Sequence, residues 1–301
     1  MKRRVMLPFL VVYLFAAISA HAVTGWELWL PTNGMPVKAV FVAPRWGDGA
    51  RMVSLIQQNL GCKLGIATML TKDDLMTFKE PEFLSSITNT LAASAVTLKR
   101  PELANAPLLL WAHSNAAQYL LGCLKTIPDR VLSYCLFKSA YGINNDFGTM
   151  SKAAMEAFGL SIWDQNDRIT REYSQDKERM LMLDNCAAAR KQGALIHVVL
   201  VRGTHHMIDG QEQLMLKFFE TALAMRMPAG ANPAKGPVKL IGGFEKKGWI
   251  QVQSSKAVAT YSGLPAGTNP RQGWWLPTRD YAVMWNGYAL NAKGTVAESK
   301  R

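Results

Sequence analysis

The chain has 301 residues, 49% of them hydrophobic, and a formal net charge of +12. That length accommodates one large domain or one domain with an appendage. The basic residues are scattered, with only short clusters such as Lys246-Lys247, so no helix carries a basic stripe and no nucleic-acid partner is expected.

Lys2, Arg3 and Arg4 precede an apolar stretch from Val5 to Ile18, and Ala20-His21-Ala22 follows with small-x-small spacing. This is the pattern of a secretory signal peptide over residues 1–22, with a mature chain starting at Val23 and a periplasmic or secreted destination. Without the three leader cations the net charge falls to +9. Past the leader no stretch offers about 20 uninterrupted apolar residues, so the processed protein is not expected to be an integral membrane protein.

From Pro36 onward, short apolar runs alternate with amphipathic ones. Strands are predicted at 36–44, 63–69, 107–112, 130–139, 157–163 and 194–202. Helices are predicted at 48–60, 81–100, 115–127, 171–193 and 211–227. Apolar strands separated by amphipathic helices imply a mostly parallel sheet covered on both faces. The predicted class is therefore α/β, doubly wound, over a domain spanning 23–227. At Pro228 the composition changes. PAGANPAKGP (228–237) reads as a linker, and 238–301 holds four tryptophans (Trp249, Trp274, Trp275, Trp285) among short β-like pieces. That tail is either a small β-rich appendage with a disordered end or a segment that packs back on the domain. Cys62, Cys123, Cys135 and Cys186 contain no CxxC pair, which weighs against zinc and thioredoxin-type chemistry. In an exported protein they allow up to two disulfides, with three connectivities; Cys123 and Cys135 also suit core thiols.

Chemistry concentrates at strand ends. LLLWA runs into His113-Ser114-Asn115 and a helix-like stretch, with small residues Ala112 and Ala116 two positions either side of Ser114. A nucleophile elbow needs this arrangement: a serine on a sharp strand-to-helix turn, flanked by residues small enough for close approach. A serine also needs a base. His113 should point away from the serine oxygen, and His197 lies inside an apolar strand as a core histidine. That leaves His205 and His206, in the loop after the 194–202 strand, where open α/β sheets bind ligands. A third group must orient the base. Asp167, three residues beyond the 157–163 strand, suits that reach. Asp164 is the close alternative and Asp146 a third.

These motifs, AHSNA, WDQNDRIT and VRGTHHMI, occur in the order Ser, Asp, His and resemble the α/β-hydrolase superfamily over about residues 36–227. The chain departs from it in the alanines flanking Ser114 and in lacking a His-Gly dipeptide after the 36–44 strand. The resemblance implies His206 as the base, with His205 in a glycine position of the family's histidine loop. It implies an oxyanion hole from the backbone N–H of Asn115 and of Arg45 or Trp46. It also implies an exported serine hydrolase acting on carboxylic esters through an acyl-enzyme, with neither metal nor cofactor, loosely similar to polyhydroxybutyrate depolymerase, feruloyl and acetyl-xylan esterases. The short 139–155 connection predicts an open cleft, suited to a large or polymeric ester. A non-catalytic hydrolase-like binding protein and a serine peptidase are the competing readings.

Overall fold

The computed structural model describes residues 25–72, 80–139, 150–164, 175–201, 206–252 and 257–289. Its central feature is a seven-stranded sheet of β1 (Trp26–Trp29), β2 (Ala39–Ala43), β3 (Ile66–Thr71), β4 (Leu108–His113), β5 (Val131–Phe137), β6 (Phe158–Asp164) and β7 (Ile196–Val201). The spatial order is β1-β3-β2-β4-β5-β6-β7. Only β1 runs antiparallel, against β3; the other five pairings are parallel.

The central strands are mostly apolar and buried along their whole length because helices cover both faces and no side of the pleat meets water; their polar residues include Thr71, His113 and Asp164 at the carboxyl ends. Every residue of β2, β3, β4, β5 and β6 is buried. The helices before the tail are α1 (Gly49–Ile56), α2 (Cys62–Leu64), α3 (Glu80–Thr97), α4 (Ala117–Thr126), α5 (Lys152–Glu156), α6 (Gln175–Gln192) and α7 (Glu212–Arg226) among the described residues. A π-turn over Gln57–Gly61 joins α1 to α2. In α1, Met52, Val53 and Ile56 face inward at helical spacing.

After β2 the chain moves outward to β3, then returns across β2 to begin β4 on its other side. The connections leaving β2 and β4 therefore diverge, and a crevice opens at the carboxyl ends of these two neighbours. The loop 44–49 and the turn at Ser114 both lie there.

The tail forms a three-stranded antiparallel sheet of β8 (Trp249–Gln251), β9 (Val258–Thr260) and β10 (Trp274–Leu276), followed by helix α8 (Arg279–Tyr288). It also packs on the main sheet. The Trp275 ring lies 4.6 Å from that of Phe158, tilted at 56°, the Tyr281 hydroxyl lies 2.8 Å from His197 Nε2, and Trp285 Nε1 donates to the Val198 carbonyl. Trp274, Trp275, Tyr281 and Trp285 join the same buried cluster as the strands. The last bond explains the arrangement: β7 is an edge strand, and α8 caps a carbonyl that the sheet leaves unpaired. β1 and β10 are strands not foreseen from the sequence, whereas 238–243 is irregular where a β-like piece was expected. Residues 228–237 contain a single 3-10 turn, Pro233–Lys235, held by Asn105 Nδ2 donating to the Pro233 carbonyl.

All four cysteines are free thiols. Cys123, Cys135 and Cys186 are buried in the core, and Cys62 is partly exposed beside Thr32. Among the described residues no helix is long and apolar enough to cross a membrane.

Candidate active site

Ser114 stands where β4 ends, with φ at +53°, in the left-handed region. A side chain there costs roughly 1–2 kcal/mol. A strand that turns at once into a helix requires the conformation, and a 3-10 turn, Ser114–Ala116, leads straight into α4. Ala112 and Ala116 are both buried, as close packing of strand and helix demands. The Asn115 N–H lies in the first turn, where amides have no intrahelical acceptor and the helix dipole favours negative charge.

His113, one residue earlier, is buried. Its Nδ1 accepts the backbone N–H of Asp48 at 3.2 Å, so the ring proton of the neutral form sits on Nε2. Its ring lies 5.2 Å edge-on to Phe137 and 4.5 Å from His206, at an interplanar angle of 35°. The elbow and the histidine loop therefore meet through two imidazoles.

Gly47 makes room for this. Its φ is +55°, and a Cβ placed there would fall 2.0 Å from His113 Nδ1. In the same loop the Arg45 N–H donates to Thr71 Oγ1 and the Trp46 N–H to the Pro44 carbonyl. Both expected loop donors are thus already engaged, and Gly47 has no such bond among the described residues. Asp48 occupies the N-cap position of α1 but does not cap it. Its carboxylate instead accepts the Ile208 N–H, two residues past His206. Arg51 Nη1 donates to the Ile208 carbonyl at 2.7 Å and pairs with Glu212 through its other nitrogen. One short loop thereby ties together β4, α1 and the histidine segment.

On the other flank, Asp164 is the final residue of β6, paired in register with Val201. It is fully buried and accepts from Lys138 Nζ at 2.7 Å. Lys138, just past β5, is equally buried, has φ at +49°, and also donates to the Met207 carbonyl at 2.5 Å. The sequence reading did not single out this lysine. Its signal was a cation closing an otherwise apolar strand, and only the packing shows that it turns inward. Asp167, Asp146 and His205 lie outside the described residues. His197 sits in β7, and burial pushes its pKa down to about 3.

No family model matches the chain, and neither does any curated protein. Among solved structures it is similar to Est1E from Butyrivibrio proteoclasticus, at 14% identity over 69% of this chain and 99% of that one, TM-score 0.43. It is also similar to Thermogutta terrifontis esterase 2 phosphorylated by paraoxon (13% identity, 66% and 88% coverage, TM-score 0.44) and to TT1662 from Thermus thermophilus (12%, 69% and 98%, 0.44). The chain's own topology describes the fold more directly. An antiparallel first strand, the swapped order of β2 and β3, and a strained serine between β4 and its helix are together the fold of the α/β-hydrolase superfamily.

Proposed function

We propose that this protein is a serine hydrolase that cleaves carboxylic esters. One observation carries the reading: Ser114 holds a left-handed backbone at the switch-point crevice, with the His206 ring packed 4.5 Å from that of the adjacent His113. Strain of this kind persists where the surroundings over-determine it, and such positions cluster at active sites.

In this mechanism Ser114 attacks the acyl carbon while His206 takes its proton, then returns it to the departing alcohol. Water repeats the sequence to release the acid. Asp167 orients the imidazole. Asp164 is less suited to that task, because the buried Lys138 ammonium already balances its charge. An acid that stabilises an imidazolium must bring net negative charge to it. The oxyanion is held by the Asn115 N–H and the 45–47 loop, where the Gly47 amide is the one not already donating. The leader pattern at 1–22 supports export. Expression with the leader in a bacterial host should yield a mature protein starting at Val23, which N-terminal sequencing checks.

A fluorophosphonate probe tests the chemistry. Wild type should label and hydrolyse a p-nitrophenyl ester, and Ser114→Ala should do neither. A folded wild type that does not label would overturn the reading in favour of a binding protein. Cleavage of peptide substrates faster than esters would make it a peptidase.

A further inference from the structure

One buried charge at the carboxyl edge of the sheet takes no part in that acyl transfer. The Lys138 side chain has no exposure; its ammonium sits 2.7 Å from Asp164 Oδ2, 2.5 Å from the Met207 carbonyl and 4.8 Å from the centre of the Phe137 ring. Its backbone is held at φ +49°. Burying a lysine and a carboxylate costs several kcal/mol per ion before their attraction is counted, and well-packed apolar residues of similar volume often serve stability equally well. The left-handed backbone adds roughly 1–2 kcal/mol. Stability alone therefore does not account for a lysine here. Two of its contacts do: one oxygen at the end of β6, and the carbonyl of the residue directly after His206.

We propose that Lys138 is a positioning residue for His206. The ammonium anchors the Met207 carbonyl, fixing the backbone from which the imidazole projects. It also balances Asp164, so that no bare carboxylate lies beside the histidine segment. Among the described residues, the charged and titratable groups packed around that segment are His113 at the end of β4, Asp48 and Arg51 at the start of α1, Lys138 after β5, Asp164 on β6 and Glu212 at the start of α7. On the Asp48 side the loop is held at Ile208; on the sheet side Lys138 holds it at Met207. The role assigned to His206 rests on the hydrolase reading, but the placement of Lys138 does not.

The experiment follows the imidazole itself. In the full chain, the His206 proton resonance, assigned by its loss in His206→Gln, is titrated by NMR in wild type, Lys138→Met and Lys138→Met/Asp164→Leu. Lys138→Met removes the ammonium that Asp164 Oδ2 accepts from and takes a positive charge away from the histidine segment, so the His206 midpoint should move upward from the wild-type value. The double variant removes both charges and should return the midpoint to within a few tenths of a unit of wild type. Fluorophosphonate labelling above both midpoints should slow by about 100-fold in each variant, because the loop has lost its anchor and misplacement of a catalytic group by an ångström has that effect. An unmoved midpoint with an unchanged labelling rate in folded Lys138→Met would overturn the proposal. If that variant does not fold, the double variant decides by its labelling rate, and a wild-type rate overturns it. A wild type that titrates normally but never labels would sink the hydrolase reading, while the midpoints still decide the placement of Lys138.

Discussion

Ser114 and Lys138 both hold left-handed backbones while carrying side chains, and both lie at carboxyl ends of neighbouring strands. At Ser114 the strain is a direct consequence of exposing a hydroxyl at the tip of a turn. Replacing it with glycine should therefore stabilise the fold by about 1 kcal/mol, while alanine should not, since alanine retains the penalised Cβ. Urea denaturation of the two variants checks the difference, and both should be inactive. Of the two adjacent histidines, His206→Ala should reduce ester turnover by a factor on the order of 10⁴, whereas His205→Ala should leave most of it. The opposite ranking in steady-state kinetics would shift the base by one residue.

The loop between β2 and α1 acts as one element. It supplies the Gly47 gap that His113 fills, the Asp48 amide that fixes the His113 tautomer, and the Asp48 carboxylate that holds Ile208. A helix start whose capping residue is spent on another segment has given up local stability for tertiary placement. Gly47→Ala should therefore be costly twice over: its Cβ meets an imidazole that cannot retreat from the core, and φ +55° is unfavourable for alanine. A loss of about 2 kcal/mol or more in chemical denaturation is expected, with slower fluorophosphonate labelling of the protein that remains folded.

Across the whole molecule, the tail closes the far edge of the sheet. Trp275, Tyr281 and Trp285 are buried against β6 and β7, each contributing up to about 3 kcal/mol of apolar burial. That sum is comparable with the entire stability of a typical domain, so truncation after Pro237 should leave a chain that fails to give a cooperative thermal transition. His197, enclosed between Phe218 and Tyr281, gives the fold a pH dependence. Its pKa is about 3 in the folded protein, against an ordinary value near 6.5 in the unfolded chain. Above pH 6.5 both states are neutral and the group's contribution is intact. As pH falls towards 3 only the unfolded state takes up the proton, and stability drops by about 1.4 kcal/mol per pH unit. Between pH 7.5 and pH 5, His197→Gln should therefore lose about 2 kcal/mol less than wild type in urea titrations.

The elements and their order were legible in the sequence because buried parallel strands and amphipathic helices impose different periods on apolar residues, and these survive in a single chain. The serine turn was legible too, since its local sterics demand small neighbours within a few residues. The four-residue β1 was not, because an edge strand has too few positions to establish a period. Nor was the fate of the tail: its short pieces carry no period, and only docking on β7 gives Trp275, Tyr281 and Trp285 a place to be buried. The network around the candidate base was hidden for a related reason. Gly47 and Asp48, Lys138, and Met207 come from three separate segments, and no segment contacts another through local spacing. Sequence determined which residue types stand at the strand ends. Tertiary structure decided that His113 shares a face with His206 and that a strand-closing lysine turns inward onto Asp164, because those contacts depend on how neighbouring strands register and on which buried charges can find partners.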